Sequence, residues 1–383
     1  MDNNLYSPAE RIGSLLKQTL VEDPHFYFFS PDETTSNKFD AVFDVEKRAW
    51  GNLNQQAWDL PEAPNGRIVE MLSENVLFSV MTGHLMNGER AMMGSYEAFF
   101  SVITAQLLQQ IKFIKQAKEV EWSDPIPAVN LLSTSTCWRQ DHNGFTHQSP
   151  ALITTLLGVP SGLANCIFPV DDVAAESAYK YMLSSKDVVN LTTFNKNPSA
   201  RYLDEEQADS YYHNGGAMIW EPVSDPEPDF VLAAAGDIAT RETLEAMKII
   251  REDLPGVKLR FVSINALSYR AIGTIDNKLT KEKFAKLFTE HHPIIASFHG
   301  YPETLENILE NYTERRRLRV HGFNEEGSTT TPFEMLRRNA ASRYDIAMDV
   351  ANVMHRDNLV QKYQSILAEN HTHAVNFGED LIK

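Results

Sequence analysis

LANCIFPVDDVAAESAYKYMLSSKDVVNLTTF, residues 163–194, decides how the chain is read. LANCIFPVD (163–171) is a short apolar run of strand type. VAAESAYKYML (173–183) has the spacing of a helix, and VVNLTTF (188–194) is a second strand. Neither strand alternates cleanly between polar and apolar residues. Each therefore has two faces to hide, which helices on both sides of a parallel sheet accomplish.

The same alternation extends outward in both directions. VLFSVMTGHLM (76–86) reads as a helix. AFFSVITAQLLQQIKFIKQA (98–117) places Phe99, Ile103, Leu107, Ile111 and Ile114 on one helical face. AVNLLSTS (128–135) reads as a buried strand. Downstream, FVLAAAG (230–236), VKLRFVSIN (257–265), PIIASFHG (293–300) and LRVHGF (318–323) read as strands. TRETLEAMKIIREDL (240–254) reads as a helix with Thr240 as N-cap and Glu242 in its first turn. PFEMLRRNAASRYDIAMDVANVM (332–354) reads as one long helix. The polar stretch NKNPSARYLDEEQADS (195–210) is the best domain boundary. The expectation is two α/β domains, 1–205 and 206–383, with mainly parallel sheets flanked by helices.

The chain has 383 residues, a net charge of −17 and a sequence pI near 5.2. Such a balance disfavours a surface that wraps nucleic acid. Cys137 and Cys166 form no disulfide framework and no zinc pattern, and no metal site is expected on these residues. No apolar run approaches the ~20 residues of a membrane span, so a cytoplasmic protein without membrane association is expected. Nucleotide-binding glycine fingerprints, HExxH and GxSxG are absent from the sequence.

WRQDHNGFTHQ (138–148) follows a strand end, where open α/β sheets place ligands. It gathers a cation, two amides, a carboxylate and two imidazoles around one glycine; His142 and His147 suit proton transfer. A polar loop with two solvated histidines is the alternative. Glu74, between two apolar runs, is either a first-turn helix residue or a functional carboxylate. In PDETTSNK (31–38), Ser36 and Lys38 suit either phosphate binding or a helix start. Lys196 in FNKNP (194–198) suits an anion or solvent. ERRRLR (314–319) reads as a solvated basic face. His371 and His373 read as incidental.

FFSPDETTSNK, GRIVEMLSEN, GSYEAFF, WRQDHNGFTHQSP, AAAGDIATRETLEA, SFHGYP and RVHGFNEEGSTTTPFE occur in this order between about Ser7 and Val350. Together they resemble the phosphoketolases, thiamine-diphosphate enzymes of sugar catabolism. The resemblance implies a thiamine-diphosphate-binding fold that faces the aminopyrimidine ring (1–205), followed by a transketolase C-terminal-like domain (206–383). It implies that Glu74 hydrogen-bonds the aminopyrimidine and that Tyr96 lines the cofactor site. His142 and His147 would carry protons, and Tyr96, Gln140 and Asn143 would orient the reacting species. Ser36, Lys38 and Lys196 would hold the substrate phosphate. The implied reaction cleaves xylulose 5-phosphate or fructose 6-phosphate with inorganic phosphate, giving acetyl phosphate and an aldose phosphate.

The family's GDG signature for the cofactor diphosphate and Mg2+ is missing, and the nearest string is Gly236-Asp237-Ile238. The expectation is a chain that begins at the family's middle domain and needs a diphosphate-binding domain or chain, or a dimer, for activity. A diverged remnant that pairs with a complete phosphoketolase is the second reading. Lys38 stands in place of a common Arg, Asn75 in place of a His, and Glu89-Arg90-Ala91 in place of Arg-His-Gly. An acidic Glu89 near the substrate would weaken anion binding.

Overall fold

The computed structural model describes residues 5–31, 33–51, 56, 58, 62–139 and 143–382. It forms two compact units, Met1–Thr136 with Gly158–Ser210, and Cys137–Leu157 with Tyr211–Lys383.

The first unit is built on a parallel sheet of β1 (Tyr27–Ser30), β2 (Ile68–Glu70), β3 (Ala91–Tyr96), β4 (Val129–Thr134), β5 (Ala164–Ile167) and β6 (Val189–Thr193). Their order is β5-β6-β4-β3-β1-β2, extended beyond β2 by two-residue strands at Arg48–Ala49 and Glu62–Ala63. Helices α1 (Pro8–Glu22), α2 (Glu74–Met86), α3 (Thr104–Ala117) and α4 (Asp172–Ser184) accompany it. The stretch 163–194 is β5, α4 and β6, as its pattern predicts. Phe28, Met92, Leu131, Cys166 and Leu191 are all buried. Strands this apolar gain stability only when both faces leave water.

Three of these strands carry an asparagine at one level of the sheet, Asn130 facing Asn190 and Asn190 facing Asn165. Asn165 donates to Asn190 (2.9 Å), Asn190 donates to Asn130 (2.9 Å), and Asn130 donates to the Met182 carbonyl (3.1 Å). A ladder of this kind satisfies polar groups that would otherwise be costly to bury.

The expected helix over 98–117 begins instead with a 3₁₀ turn, Phe99–Ile103, before α3. Leu107, Ile111 and Ile114 are buried as expected, but Phe99 leaves that face. The polar stretch 195–210 is well tied. Asp171, the N-cap of α4, accepts from the Ala174, Tyr202 and Leu203 amides, and Arg201 pairs with Asp172. Helix α5 (Glu205–His213) starts at the expected 205/206 limit and runs past it.

The second unit contains a sheet of β7 (Ala217–Ile219), β8 (Phe230–Ala235), β9 (Leu259–Ile264), β10 (Ile294–Phe298) and β11 (Leu318–His321), in the order β7-β9-β8-β10-β11. Only β7 runs antiparallel to its neighbour. Helix α6 (Asp237–Asp253) starts at Gly236 (φ 112°), so Thr240 is not its N-cap. Thr240 is buried one turn in, with its amide on the Gly236 carbonyl (2.9 Å). Glu242, expected in the first turn for its charge alone, is fully buried and held by Arg343 through two guanidinium bonds and the Arg343 amide.

Arg317 in ERRRLR is no solvated cation. It donates to the His292, Phe288 and Thr289 carbonyls, closing the end of α7 (Lys281–Phe288), while Arg315 and Arg316 are exposed. The long helix expected over 332–354 is two, α8 (Pro332–Arg338) and α9 (Arg343–Val353). Ala340 (φ 50°) breaks the run, and Ser342 with Asp345 forms a capping box that restarts it. Helix α10 (Asp357–Phe377) follows. No helix among the described residues is long and apolar enough to cross a membrane.

Candidate active site

In the first sheet, β1 connects onward to β2 on one side, and β3 lies on its other side. The connections therefore diverge at the carboxyl ends of β1 and β3, the position at which open α/β sheets form a ligand crevice. The loops at this edge bring most of the sequence-predicted groups of the first unit together. Ser36 follows β1, Glu74 opens α2 after β2, Tyr96 ends β3, and Lys196 follows β6.

Tyr96 is the centre of this group. Its hydroxyl donates to Ser36 Oγ (3.0 Å), and the Lys196 ammonium lies 4.8 Å from its ring centroid. Phe99 stacks nearly parallel on it, with centroids 5.8 Å apart. Ser7 holds the Lys196 carbonyl (2.8 Å), which fixes where that side chain departs. Lys38 sits at φ 65° with an exposed side chain.

Glu33 was not legible as a site residue. Its carboxylate accepts from the Tyr96 amide (3.1 Å) and faces the Asn37 amide group (3.5 Å). Asn37 in turn accepts from Thr134 Oγ1 (2.5 Å). Burial raises Glu33, the Tyr96 hydrogen bond opposes this, and the nearby charge of Glu74 raises it further, to about 7. The site thus offers two neighbouring carboxyl groups, one of which can keep a proton at neutral pH. Glu33 lies within FFSPDETTSNK, but a single acidic residue in a turn does not reveal its burial or its carboxyl neighbour. Phe99 lies within GSYEAFF, but its helical spacing pointed elsewhere.

Asn75 is exposed and reaches the Val102 carbonyl (3.4 Å). Glu89 and Arg90 stand at the opposite end of the sheet, after the last turn of α2 and before β3. Thirteen helical residues separate that end from Glu74, roughly 20 Å. Glu89 pairs there with His84 (2.9 Å) and His25 (3.3 Å), and Arg90 with Asp23 (2.8 Å). The expected interference of Glu89 with an anionic substrate is therefore corrected, since such a separation exceeds the screening length.

Asn143 and His147 belong to the second unit. Asn143 is exposed, and His147 is half-buried with Nδ1 2.8 Å from Thr146 Oγ1. The expected site residues Gln140 and His142 lie outside the described residues. Trp138 donates through Nε1 to the His299 carbonyl (2.7 Å). His371 Nδ1 lies 2.8 Å from Glu334.

The fold is that of the transketolases. A Pichia stipitis transketolase in complex with sedoheptulose 7-phosphate matches 94% of this chain and 48% of its own, with a TM-score of 0.67 at 17% identity. Transketolase from Leishmania mexicana matches 95% and 47%, with a TM-score of 0.68 at 14% identity. A split-gene transketolase described as an inactive β4 tetramer matches 94% of this chain and 99% of its own, with a TM-score of 0.60 at 14% identity.

Residues 10–185 match the family model D-xylulose 5-phosphate/D-fructose 6-phosphate phosphoketolase, and 196–383 match that family's C-terminal domain. A probable phosphoketolase of Pseudomonas putida is 34% identical over 378 residues, 97% of this chain and 47% of the relative. Probable phosphoketolase 2 of a Nostoc species is 34% identical over 96% of this chain and 48% of its own length. The chain belongs to the phosphoketolase family, and it spans about half the length of the curated relatives it matches.

Proposed function

We propose that this chain is the pyrimidine-facing and C-terminal portion of a thiamine-diphosphate-dependent phosphoketolase. It would cleave xylulose 5-phosphate or fructose 6-phosphate with inorganic phosphate to acetyl phosphate and an aldose phosphate. The observation that carries this reading is the convergence of Glu74, Tyr96, Ser36 and Lys196 on the crevice edge of the first sheet.

The residues present fit the aminopyrimidine end of the cofactor. The parallel Tyr96 and Phe99 rings offer a flat aromatic wall, and Glu33 with Glu74 offers a carboxyl pair able to hold a proton beside a ring nitrogen. Thiamine diphosphate, when bound, supplies an electron sink for breaking the carbon–carbon bond next to a ketose carbonyl. Glu74 holds the ring nitrogen by a hydrogen bond, and Glu33 keeps the pair from carrying two full charges. Ser36 and Lys196 hold the sugar phosphate, with Lys38 as a further point charge in place of a bidentate arginine. His147 moves protons at the substrate hydroxyls, as does His142, and Asn143 and Gln140 orient them.

The residues for the cofactor diphosphate and Mg2+ are assigned to a separate domain or chain, because the GDG signature is not among residues 1–383. A dimer or such a complex, in the cytoplasm, is the proposed working form. The split-gene transketolase whose full length this chain matches, described as inactive, supports this arrangement.

The test is release of acetyl phosphate, measured with the chain alone and with a separately made diphosphate-binding domain. Activity only in the mixture supports the proposal. A stable but inactive complex overturns it in favour of a non-catalytic partner of complete phosphoketolases.

A further inference from the structure

Gln148 ends the segment that carries Asn143 and His147, and its carboxamide is buried. Its Nε2 donates to the Ser328 carbonyl (2.7 Å), and the Ser328 amide donates back to its Oε1 (2.8 Å). One side chain thus satisfies both backbone groups of a residue 180 positions away, as a neighbouring strand would. Neither Gln148 nor Ser328 lies in a helix or strand, so no sheet ladder or helix supplies these bonds.

Flanking contacts reinforce the match. Gly144 (φ 74°) lies so close to Thr329 Oγ1 that a Cβ there would clash, and a Cβ on Gly327 (φ 123°) would meet the Phe145 carbonyl at 2.8 Å. At Gly144 and Gly327 the two chain segments leave no room for a side chain. Ser328 itself rests on a stiff base. Its hydroxyl donates to Glu325 (2.8 Å), which pairs with Arg338 (3.0 Å), and Asn339 accepts from the Asn324 and Glu325 amides. At the other end of the loop, Asp380 holds Thr331 Oγ1 and the Phe333 amide, both at 2.7 Å.

We infer that Gln148 is a positioning residue, whose two-point grip on Ser328 sets how Asn143 and His147 are presented by the second unit. The catalytic part of this inference rests on the proposed phosphoketolase function; the grip does not. His147 and Gln148 close their own short turn through amide bonds to Gly144 (3.2 Å) and Phe145 (3.3 Å). Loss of the grip frees that turn first, because the next helix, Ala151–Leu157, begins only after Pro150.

Amide hydrogen exchange on the full chain tests the grip without requiring turnover. In Gln148→Met, which keeps the volume and removes both bonds, exchange at Ser328, His147 and position 148 rises roughly tenfold or more. Exchange in β8 to β11 stays as in the parent chain. In Gln148→Glu, which retains an acceptor for the Ser328 amide, protection of that amide is partly restored. No change at Ser328 and His147 overturns the inference, as does a rise spread evenly over the sheet or a Gln148→Glu chain indistinguishable from Gln148→Met. In the acetyl-phosphate-forming mixture, Gln148→Met lowers kcat by about tenfold and leaves KM for the sugar phosphate within about twofold. A kcat equal to that of the parent overturns the catalytic part. Absence of turnover in the parent mixture sinks the proposed function and leaves the exchange result to decide the grip.

Discussion

Burial and the charge of Glu74 both act against ionisation of Glu33, and the Tyr96 amide acts for it. Its folded pKa, raised to about 7, lies above the unfolded value. The folded chain therefore loses stability as pH rises from the ordinary carboxylate range to about 7, and the cost is constant above that. Glu33→Gln keeps an acceptor for the Tyr96 amide and removes the charge. It is expected to stabilise the chain at pH 8 by on the order of 2 kcal/mol and to have no such effect at pH 4, measured by urea unfolding at both pH values. Glu74→Gln should move the Glu33 titration down, seen by carboxyl carbon NMR; an unmoved titration would show that the two groups do not interact. At this scale Glu74, Tyr96 and Ser36 were legible through their motifs. Glu33 was not, because its importance comes from what surrounds it and not from its neighbours in the chain.

The asparagine ladder shows how an element-level pattern can mislead. NLL and VVN look like parts of plain apolar strands, yet Asn130, Asn165 and Asn190 meet only because their strands pair in that register. Asn190→Leu removes the bond from Asn165 to position 190, though Asn165 keeps its bond to Tyr181 Oη, and it leaves the Asn130 acceptor buried without its donor. A loss of about 2–4 kcal/mol in chemical denaturation is expected, and a loss below ~0.5 kcal/mol would show the ladder to be dispensable. The break between α8 and α9 is a second case. His321, at the end of β11, has Nδ1 2.6 Å from the Ala340 carbonyl and Nε2 3.1 Å from Asp349. Both neighbours can only accept, so the doubly protonated ring is favoured. Burial pushes its pKa down, but Asp349, the Ala340 carbonyl and Asp345 outweigh burial and raise it. The clamp is fully present below the ordinary histidine value and is lost as pH rises through the folded one. His321→Gln should cost about 1–2 kcal/mol at pH 5.5 and less at pH 9, read from unfolding midpoints at each pH.

Within the second unit as a whole, Glu242 and Arg343 join α6 to the start of α9 through a buried ion pair. Burial drives Glu242 up, yet the Arg343 bonds and the charges of Arg241 and Arg343 leave it lowered. Its contribution is present above the unfolded carboxylate value and lost as pH falls through the depressed folded one. Arg343→Met leaves Arg241 as the remaining partner of the buried carboxylate and should cost about 2–3 kcal/mol at pH 7, with a smaller loss near pH 3, measured by thermal or urea unfolding. A loss of under ~1 kcal/mol at pH 7 would mean that Arg241 alone suffices to hold Glu242. The net charge of −17 adds self-repulsion across the molecule, which salt screens.

Local pattern was enough to place the strands and helices of 163–194 and the α/β class, because the burial of a strand or helix leaves its period in neighbouring residues. The motifs were enough for the family, and they pointed to most of the residues that meet at the crevice edge of the first sheet. Tertiary structure alone put Glu33 on the Tyr96 amide, turned Phe99 onto Tyr96, removed Glu89 to the far end of the sheet and seated Gln148 on Ser328. The Glu33–Tyr96 and Gln148–Ser328 contacts join residues 63 and 180 positions apart, and even the near-neighbour pairs Tyr96–Phe99 and His84–Glu89 are set by how the chain packs. Their energy depends on distance and exclusion of water, quantities that exist only once the chain has closed on itself.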